Sequence, residues 1–264
     1  MARSTVRNVE LAYDMAGEGP TVVWGHGLSS CRANENDFGV LDWARLGATG
    51  RLVRYDARGH GDSGFTAEPA GYAWDELARD QLALLDNLGI HRYTVAGASM
   101  GCGTALHVAL LAPERIEAMV LLIPPTAWET RRARVEIWEQ VAALIEDQGI
   151  DAFAAAMAAM PLPEPFRGRV EWRESFERNA RGVDPVRLAG VFRGAGTADL
   201  PERDRIRTIT VPTRILAWSG DPGHPTSTAE ELAELLPNAE LDIASTWDQF
   251  CTWTEHTLDF LARH

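Results

Sequence analysis

Residues 95–103 read "VAGASMGCG". A run of small and β-branched apolar residues, begun at Tyr93, stops at Gly97, and Ser99 then stands between Ala98 and Met100. Gly101 follows, and an apolar helical stretch runs from 103 to 114. Strand, G-x-S-x-G, helix describes a bend so sharp that its flanking positions must be small. Gly97, Gly101 and Gly103 meet that need. The bend holds a serine hydroxyl at the C-terminal edge of a sheet, above a helix N-terminus whose free N–H groups favour developing negative charge. Ser99 is therefore expected to be a nucleophile. The alternative is a serine that only caps the helix over 100–112.

Upstream, "WGHGLSS" (24–30) ends a short apolar run. The turn His26-Gly27-Leu28 can point a backbone N–H inward, so the N–H groups of Leu28 and Met100 are expected to form an oxyanion hole. His26 is expected to brace this loop by hydrogen bonding rather than act as a base. In "YDARGHGDS" (55–63), Gly59 and Gly61 permit tight turns, Asp56 and Arg58 can pair, and His60 reads as structural.

The same pattern of short apolar runs recurs along the chain. Strands are expected at 9–17, as an edge, and within 21–27, 51–63, 93–98, 118–124, 213–220 and, more weakly, 239–245. Strands apolar on both faces mark a parallel sheet covered by helices. Helical patterns lie between them. In 75–90, Leu77, Leu82, Leu84, Leu85 and Leu88 fall largely on one stripe that stops near Gly89. In 227–238, Ser227 or Thr228 reads as a cap, with Glu230 or Glu231 three residues on. The fold class is α/β, a mostly parallel sheet flanked by helices.

One long stretch breaks the alternation. Residues 126–207 hold no convincing strand and read as helices, with a turn near Gly149 and a break at "PLPEPF" (161–166). Trp128, Trp138, Phe153, Trp172 and Phe176 give this stretch apolar surface to bury. It is expected to be a helical insertion into a core made of residues 1–125 and 208–264.

Composition narrows the partners. The chain has 264 residues and a formal net charge of −13. Nucleic acid and anionic membranes need basic surface, so neither is expected as a partner. No run approaches 18 apolar residues, and residues 1–20 lack a secretory apolar region. Cys31, Cys102 and Cys251 show no paired spacing, which fits buried thiols in a reducing cytoplasm better than disulfides or a metal site. A monomer or homodimer is expected.

Gly-His-Gly after a strand, then Asp-x-Arg-Gly-x-Gly-x-Ser, then Gly-x-Ser-x-Gly, resembles the α/β-hydrolase fold superfamily, from about residue 9 to 261. The resemblance implies that the helical insertion is a cap. A serine in the bend resembles esterases, lactonases, thioesterases and C–C bond hydrolases, not the relatives that use aspartate there. It implies an acid after the strand "RILAWSG", where "GDPGHP" (220–225) places Asp221. It also implies a histidine after the last strand, but "ASTWDQFCTW" (244–253) contains none. His91, His107, His256 and His264 lie in helices, a connecting loop or the terminus. His224, in the acid loop, is the remaining candidate for the base; its alternative role is to hold the turn from Gly223 to Pro225.

These residues imply a serine hydrolase of small molecules, acting on an ester, lactone or related carbonyl, with no metal or organic cofactor. The alternatives are a non-hydrolytic member of the fold (a lyase, a cyclase-like enzyme or a cofactor-free oxygenase) and a ligand-binding receptor with slow turnover. Trp24, His26, Trp128 and Trp218 stand in or near the expected site loops and are expected to line an apolar pocket, unless the tryptophans only fill the core. Arg131, Arg132 and Arg134 either attract a carboxylated substrate or form a solvated helix face.

Overall fold

The computed structural model describes residues 1–181 and 183–264, with the side chains of all of these except Asp37, Phe38 and Phe176. Eight strands form one sheet: β1 (Ala2–Val6), β2 (Val9–Ala16), β3 (Thr21–Gly25), β4 (Arg51–Tyr55), β5 (Tyr93–Ala98), β6 (Ile116–Leu122), β7 (Thr213–Trp218) and β8 (Ala239–Ala244). Their spatial order is β1-β2-β4-β3-β5-β6-β7-β8. The β1–β2 and β2–β4 pairs are antiparallel and the remaining pairs parallel.

The expected edge strand at 9–17 is instead the second strand. Ala2–Val6 pairs with it through a two-residue hairpin at Arg7 and Asn8, both with positive φ. Such a turn matches the twist of the strands it joins.

All six residues of β5 are buried, as its unbroken apolar run requires. Two apolar clusters lie against the sheet. One joins Val23, Val53, Val95, Met119 and Ile215 to Leu77, Leu84, Leu106 and Leu232 from the helices. The other holds Trp24, Ala96, Val120, Leu216, Trp218, Trp253 and Phe260.

The helices fill the connections. They are α1 (Arg32–Phe38), α2 (Trp43–Thr49), α3 (Trp74–Asn87), α4 (Met100–Leu111), α5 (Trp128–Arg132), α6 (Val135–Ala159), α7 (Val170–Arg181), α8 (Pro185–Thr197), α9 (Arg203–Ile206), α10 (Thr226–Leu235), α11 (Trp247–Cys251) and α12 (Trp253–Leu261). The expected cap of α10 differs: Pro225 precedes the helix and no side chain caps it. Proline, with its fixed φ and missing N–H, suits that position without help from Ser227 or Thr228.

Among the described residues between β6 and β7 the regular elements are all helical, α5 to α9 with one short 3-10 turn. The expected turn near Gly149 is a kink in α6, where that glycine takes φ 81°. The insertion has its own apolar cluster of Ala142, Ile145, Phe153, Leu188 and Phe192, with Leu28 of the core packed against it. Its α8 docks on Tyr72, which a Cβ at Gly194 would strike. The expected burial of Phe176 falls outside the described side chains.

Candidate active site

Ser99 sits between β5 and α4 with φ 52° and ψ −109°, a strained backbone for a residue with a Cβ. The glycines around it allow the bend. A Cβ at Gly97 would come 2.5 Å from the Gly101 carbonyl carbon, and one at Gly101 would collide with the Gly25 carbonyl. A Cβ at Gly103 would collide with the Trp74 ring. Strand, bend and helix thus pack tighter than any side chain permits.

Ser99 occupies the N-cap position of α4, but its hydroxyl makes no cap hydrogen bond. The Oγ lies 2.8 Å from His224 Nε2. On the other side of the ring, His224 Nδ1 is 2.7 Å from Asp221 Oδ2. The three expected catalytic residues are brought together, with both partners of the serine on the loop after β7.

The acid is held firmly. Its Oδ2 also accepts the Trp218 indole N–H at 2.9 Å, and its Oδ1 accepts the Gly223 amide at 2.8 Å. Burial alone would raise the Asp221 carboxyl. The facing His224 ring, its hydrogen bond, and the Trp218 and Gly223 donors outweigh burial and hold it well below the usual carboxylate range. Asp221 therefore stays ionised, with its Oδ2 toward the imidazole nitrogen that does not face Ser99. With its proton on Nδ1, toward Asp221, the ring presents an unprotonated Nε2 to the Ser99 hydroxyl.

The loop after β8 lacks a histidine and closes directly into α11. Thr246 Oγ1 accepts the Gln249 amide at 3.3 Å, while Gln249 Oε1 accepts the amides of Ser245 and Thr246. Aromatic rings fill the space behind Asp221: Trp218 stacks on Trp253 at 5.8 Å and meets Phe166 edge-on at 5.2 Å.

The Gly27 loop approaches the serine closely. A Cβ at Gly27 would lie 3.7 Å from Ser99 Cβ. Among the described residues, neither the Leu28 nor the Met100 N–H finds an acceptor in the chain. The Leu28 carbonyl is anchored by His60 Nε2 at 2.6 Å. His60 Nδ1 faces the Arg58 carbonyl at 2.9 Å, so His60 is structural, as expected.

His26 is buried and braces the loop rather than lining a pocket. Its Nε2 accepts the Ala57 amide at 2.9 Å, so the proton sits on Nδ1, which donates to the Gly27 carbonyl at 2.8 Å. Burial, with the neighbouring His60, lowers its pKa to about 4. A ring that stays neutral and uses both nitrogens on backbone serves neither as base nor as a ligand contact.

The tryptophans also depart from the expected pocket. Trp24 is 1% exposed, with its indole N–H on Glu35 Oε2 at 2.6 Å and its ring against Trp43. Trp128 is buried at the root of the insertion, bonded to the Pro201 carbonyl at 3.1 Å with Arg203 over its ring. Trp218 reaches the site from behind, through Asp221. Indole rings at these positions are consumed by packing and by their own N–H bonds.

Asp56 and Arg58 do not pair. Asp56 takes the backbone and side chain of Arg32, and Arg58 is bound by Asp80 at 2.8 Å. Nor do the three insertion arginines act alike. Arg131 is buried, Arg132 pairs with Glu129, and Arg134 Nη1 donates to the Pro222 carbonyl at 2.9 Å. The three arginines therefore form neither one solvated face nor one cluster for a carboxylate: Arg131 turns inward from α5, while Arg134 lies beyond that helix, at the start of α6. Among the described residues, no group of three His, Cys, Asp or Glu gathers to hold a metal ion.

Known proteins share this architecture. A solved enol-lactonase from Burkholderia xenovorans LB400 superposes with a TM-score of 0.84 at 24% identity, covering 99% of this chain and 100% of its own. A solved hydrolase from Pseudomonas aeruginosa PA01 superposes with a TM-score of 0.83 at 27% identity, covering 98% and 97%. In sequence, a 3-oxoadipate enol-lactonase from Acinetobacter baylyi is 28% identical over 193 residues, 73% of this chain and 69% of that protein. The family model described as alpha/beta hydrolase fold matches residues 44–246. Sheet order, serine bend and family match agree, and the chain belongs to the α/β-hydrolase fold family.

Proposed function

We propose that the protein is a serine hydrolase that cleaves a small ester, lactone or related carbonyl through an acyl-enzyme at Ser99. The observation that carries this reading is the unbroken chain Ser99 Oγ, His224, Asp221, with contacts of 2.8 and 2.7 Å. A serine hydroxyl is almost fully protonated at neutral pH and needs a base in contact. His224 Nε2 takes the proton as Oγ bonds to the carbonyl carbon. The Leu28 and Met100 N–H groups receive the oxyanion. The imidazolium then gives its proton to the departing oxygen, and water repeats the sequence to release the acid. The helical insertion serves as the cap over the site. Three unpaired cysteines fit a cytoplasmic setting.

The similarity in sequence to a 3-oxoadipate enol-lactonase supports a carbonyl substrate of this kind. The test is turnover of p-nitrophenyl acetate and butyrate, with fluorophosphonate labelling, by wild type, Ser99→Ala and His224→Ala. Turnover and labelling in wild type alone support the reading. Labelling without turnover favours a binding role, and neither favours non-hydrolytic chemistry.

A further inference from the structure

The loop that carries Asp221 and His224 is gripped by the start of the insertion. The Gly223 carbonyl accepts the Thr126 N–H at 3.0 Å, and the Pro222 carbonyl accepts Arg134 Nη1 at 2.9 Å. These are the two residues that separate the acid from the base. Within the loop, the Asp221 carboxylate holds the Gly223 amide, and the Asp221 carbonyl accepts the His224 amide at 3.2 Å. The Gly223 and His224 amides are thus used within the loop, while the carbonyls of Pro222 and Gly223 are held from outside. Rotation of either peptide would swing the imidazole away from the line between Ser99 and Asp221.

The gripping stretch is itself anchored. Arg131, 3% exposed, donates Nη2 to the Ala195 carbonyl at 2.5 Å, Nε to the Ala198 carbonyl, and Nη1 toward the Thr126 carbonyl at 3.4 Å. Its guanidinium lies 4.1 Å from the centre of the Trp74 ring, the ring that occupies the notch at Gly103 on α4. One short segment therefore ties together the end of α8, the helix behind Ser99 and the loop of the base.

We propose that Arg134 is a positioning residue for His224, acting through the Pro222 carbonyl. The inference rests on Ser99 as nucleophile and His224 as base. Arg134 touches neither of them, so its removal alters the alignment of the proton transfer and leaves substrate contacts in place. Misalignment of a reacting pair costs rate rather than affinity.

The test compares wild type, Arg134→Ala, Arg134→Lys and Ser99→Ala on p-nitrophenyl acetate, a substrate with no charged tail, together with fluorophosphonate labelling rates and thermal melts. Expected for Arg134→Ala is a fall of about tenfold in kcat and in labelling rate, KM within about twofold and an unchanged melting temperature. Arg134→Lys, which keeps a charged donor, is expected to restore most of the rate. Wild-type kcat in Arg134→Ala overturns the proposal. So does a rise in KM alone, which would make Arg134 a substrate contact, or a rate loss that tracks a lowered melting temperature and that lysine does not rescue. A wild type as inert as Ser99→Ala overturns the proposed function, and this inference with it; activity lost only in Ser99→Ala overturns this inference alone.

Discussion

Asp221 and His224 lie three residues apart on one loop, yet Asp221 Oδ2 reaches His224 Nδ1 at 2.7 Å while the opposite ring nitrogen reaches Ser99. The proposed base and acid therefore move together. Their shared loop makes the pair's geometry a local matter, set by the turn at Pro222 and Gly223 and by what holds it.

This arrangement makes a sharp prediction about histidines. His224→Ala is expected to lower kcat/KM for p-nitrophenyl esters by roughly 10³-fold or more, since the base is lost while oxyanion donors remain. Asp221→Asn is expected to cost a comparable factor, by freeing the ring to adopt the wrong tautomer. His256, near the C-terminus and 2.8 Å from Asp242, is the control: His256→Ala should leave kcat/KM within about twofold. Steady-state kinetics on the three variants decide it. A His256 variant as damaged as His224→Ala would place the base elsewhere.

Glu35 gives a prediction about pH and stability. Its carboxyl is 3% exposed, and burial raises its pKa to about 8 despite the Trp24 N–H and the nearby Arg54, which act to lower it. The folded chain thus keeps this proton up to about pH 8, whereas an unfolded glutamate releases it near 4.5. Between those values the native state binds more protons, so stability falls as pH rises. Glu35→Gln keeps an acceptor for the Trp24 N–H and removes the charge. It is expected to stabilise the protein at pH 8.5 by on the order of 4 kcal/mol and much less at pH 5. Urea melts at the two pH values check this; an equal effect at both would show that Glu35 does not titrate in this range.

The sequence made the serine bend legible because glycine is read by what it lacks. Gly97, Gly101 and Gly103 each stand where any Cβ would meet backbone or ring, and their spacing is fixed by the strand–helix junction. The buried strands were legible for a similar reason, since β5 is apolar on both faces. The first strand was not: four of the five residues of Ala2–Val6 fall outside the buried class, so the edge shows no alternation, and its turn uses arginine before asparagine. Direction was the harder property. Trp24, Trp128 and Trp218 were placed near the site by type and position, but the bonds of their indole N–H groups turn two of them into the core and one behind Asp221. The role of His224 was half legible. Its loop was clear from the sequence, while the reach of its ring depends on backbone angles that spacing alone does not encode.

The nucleophile helix offers a packing test. Gly103→Ala places a methyl against the Trp74 ring, beneath Arg131. Overpacking of a filled core costs about 1–3 kcal/mol. Trp74 cannot retreat without disturbing Arg131, which links α8 to Thr126. A lowered melting temperature with reduced kcat is therefore expected, and an unperturbed melt would show that the notch is looser than the packing implies.

Two glycines in α8 separate helix propensity from docking. A Cβ at Gly190 would lie 3.6 Å from the Tyr72 ring, an ordinary contact, so Gly190→Ala should stabilise by about 0.5–1 kcal/mol through helix propensity. A Cβ at Gly194 would collide with Tyr72 and lie 2.6 Å from the Pro69 carbonyl oxygen. Backbone there cannot yield as a flexible side chain does. Gly194→Ala is expected to destabilise by about 1–3 kcal/mol despite the same gain in propensity. Because α8 anchors Arg131 through Ala195 and Ala198, its displacement should also slow fluorophosphonate labelling of Ser99. Denaturant melts and labelling rates on the two variants test the link. Destabilisation of Gly194→Ala with an undiminished labelling rate would show that the docking of α8 and the alignment of the base are independent.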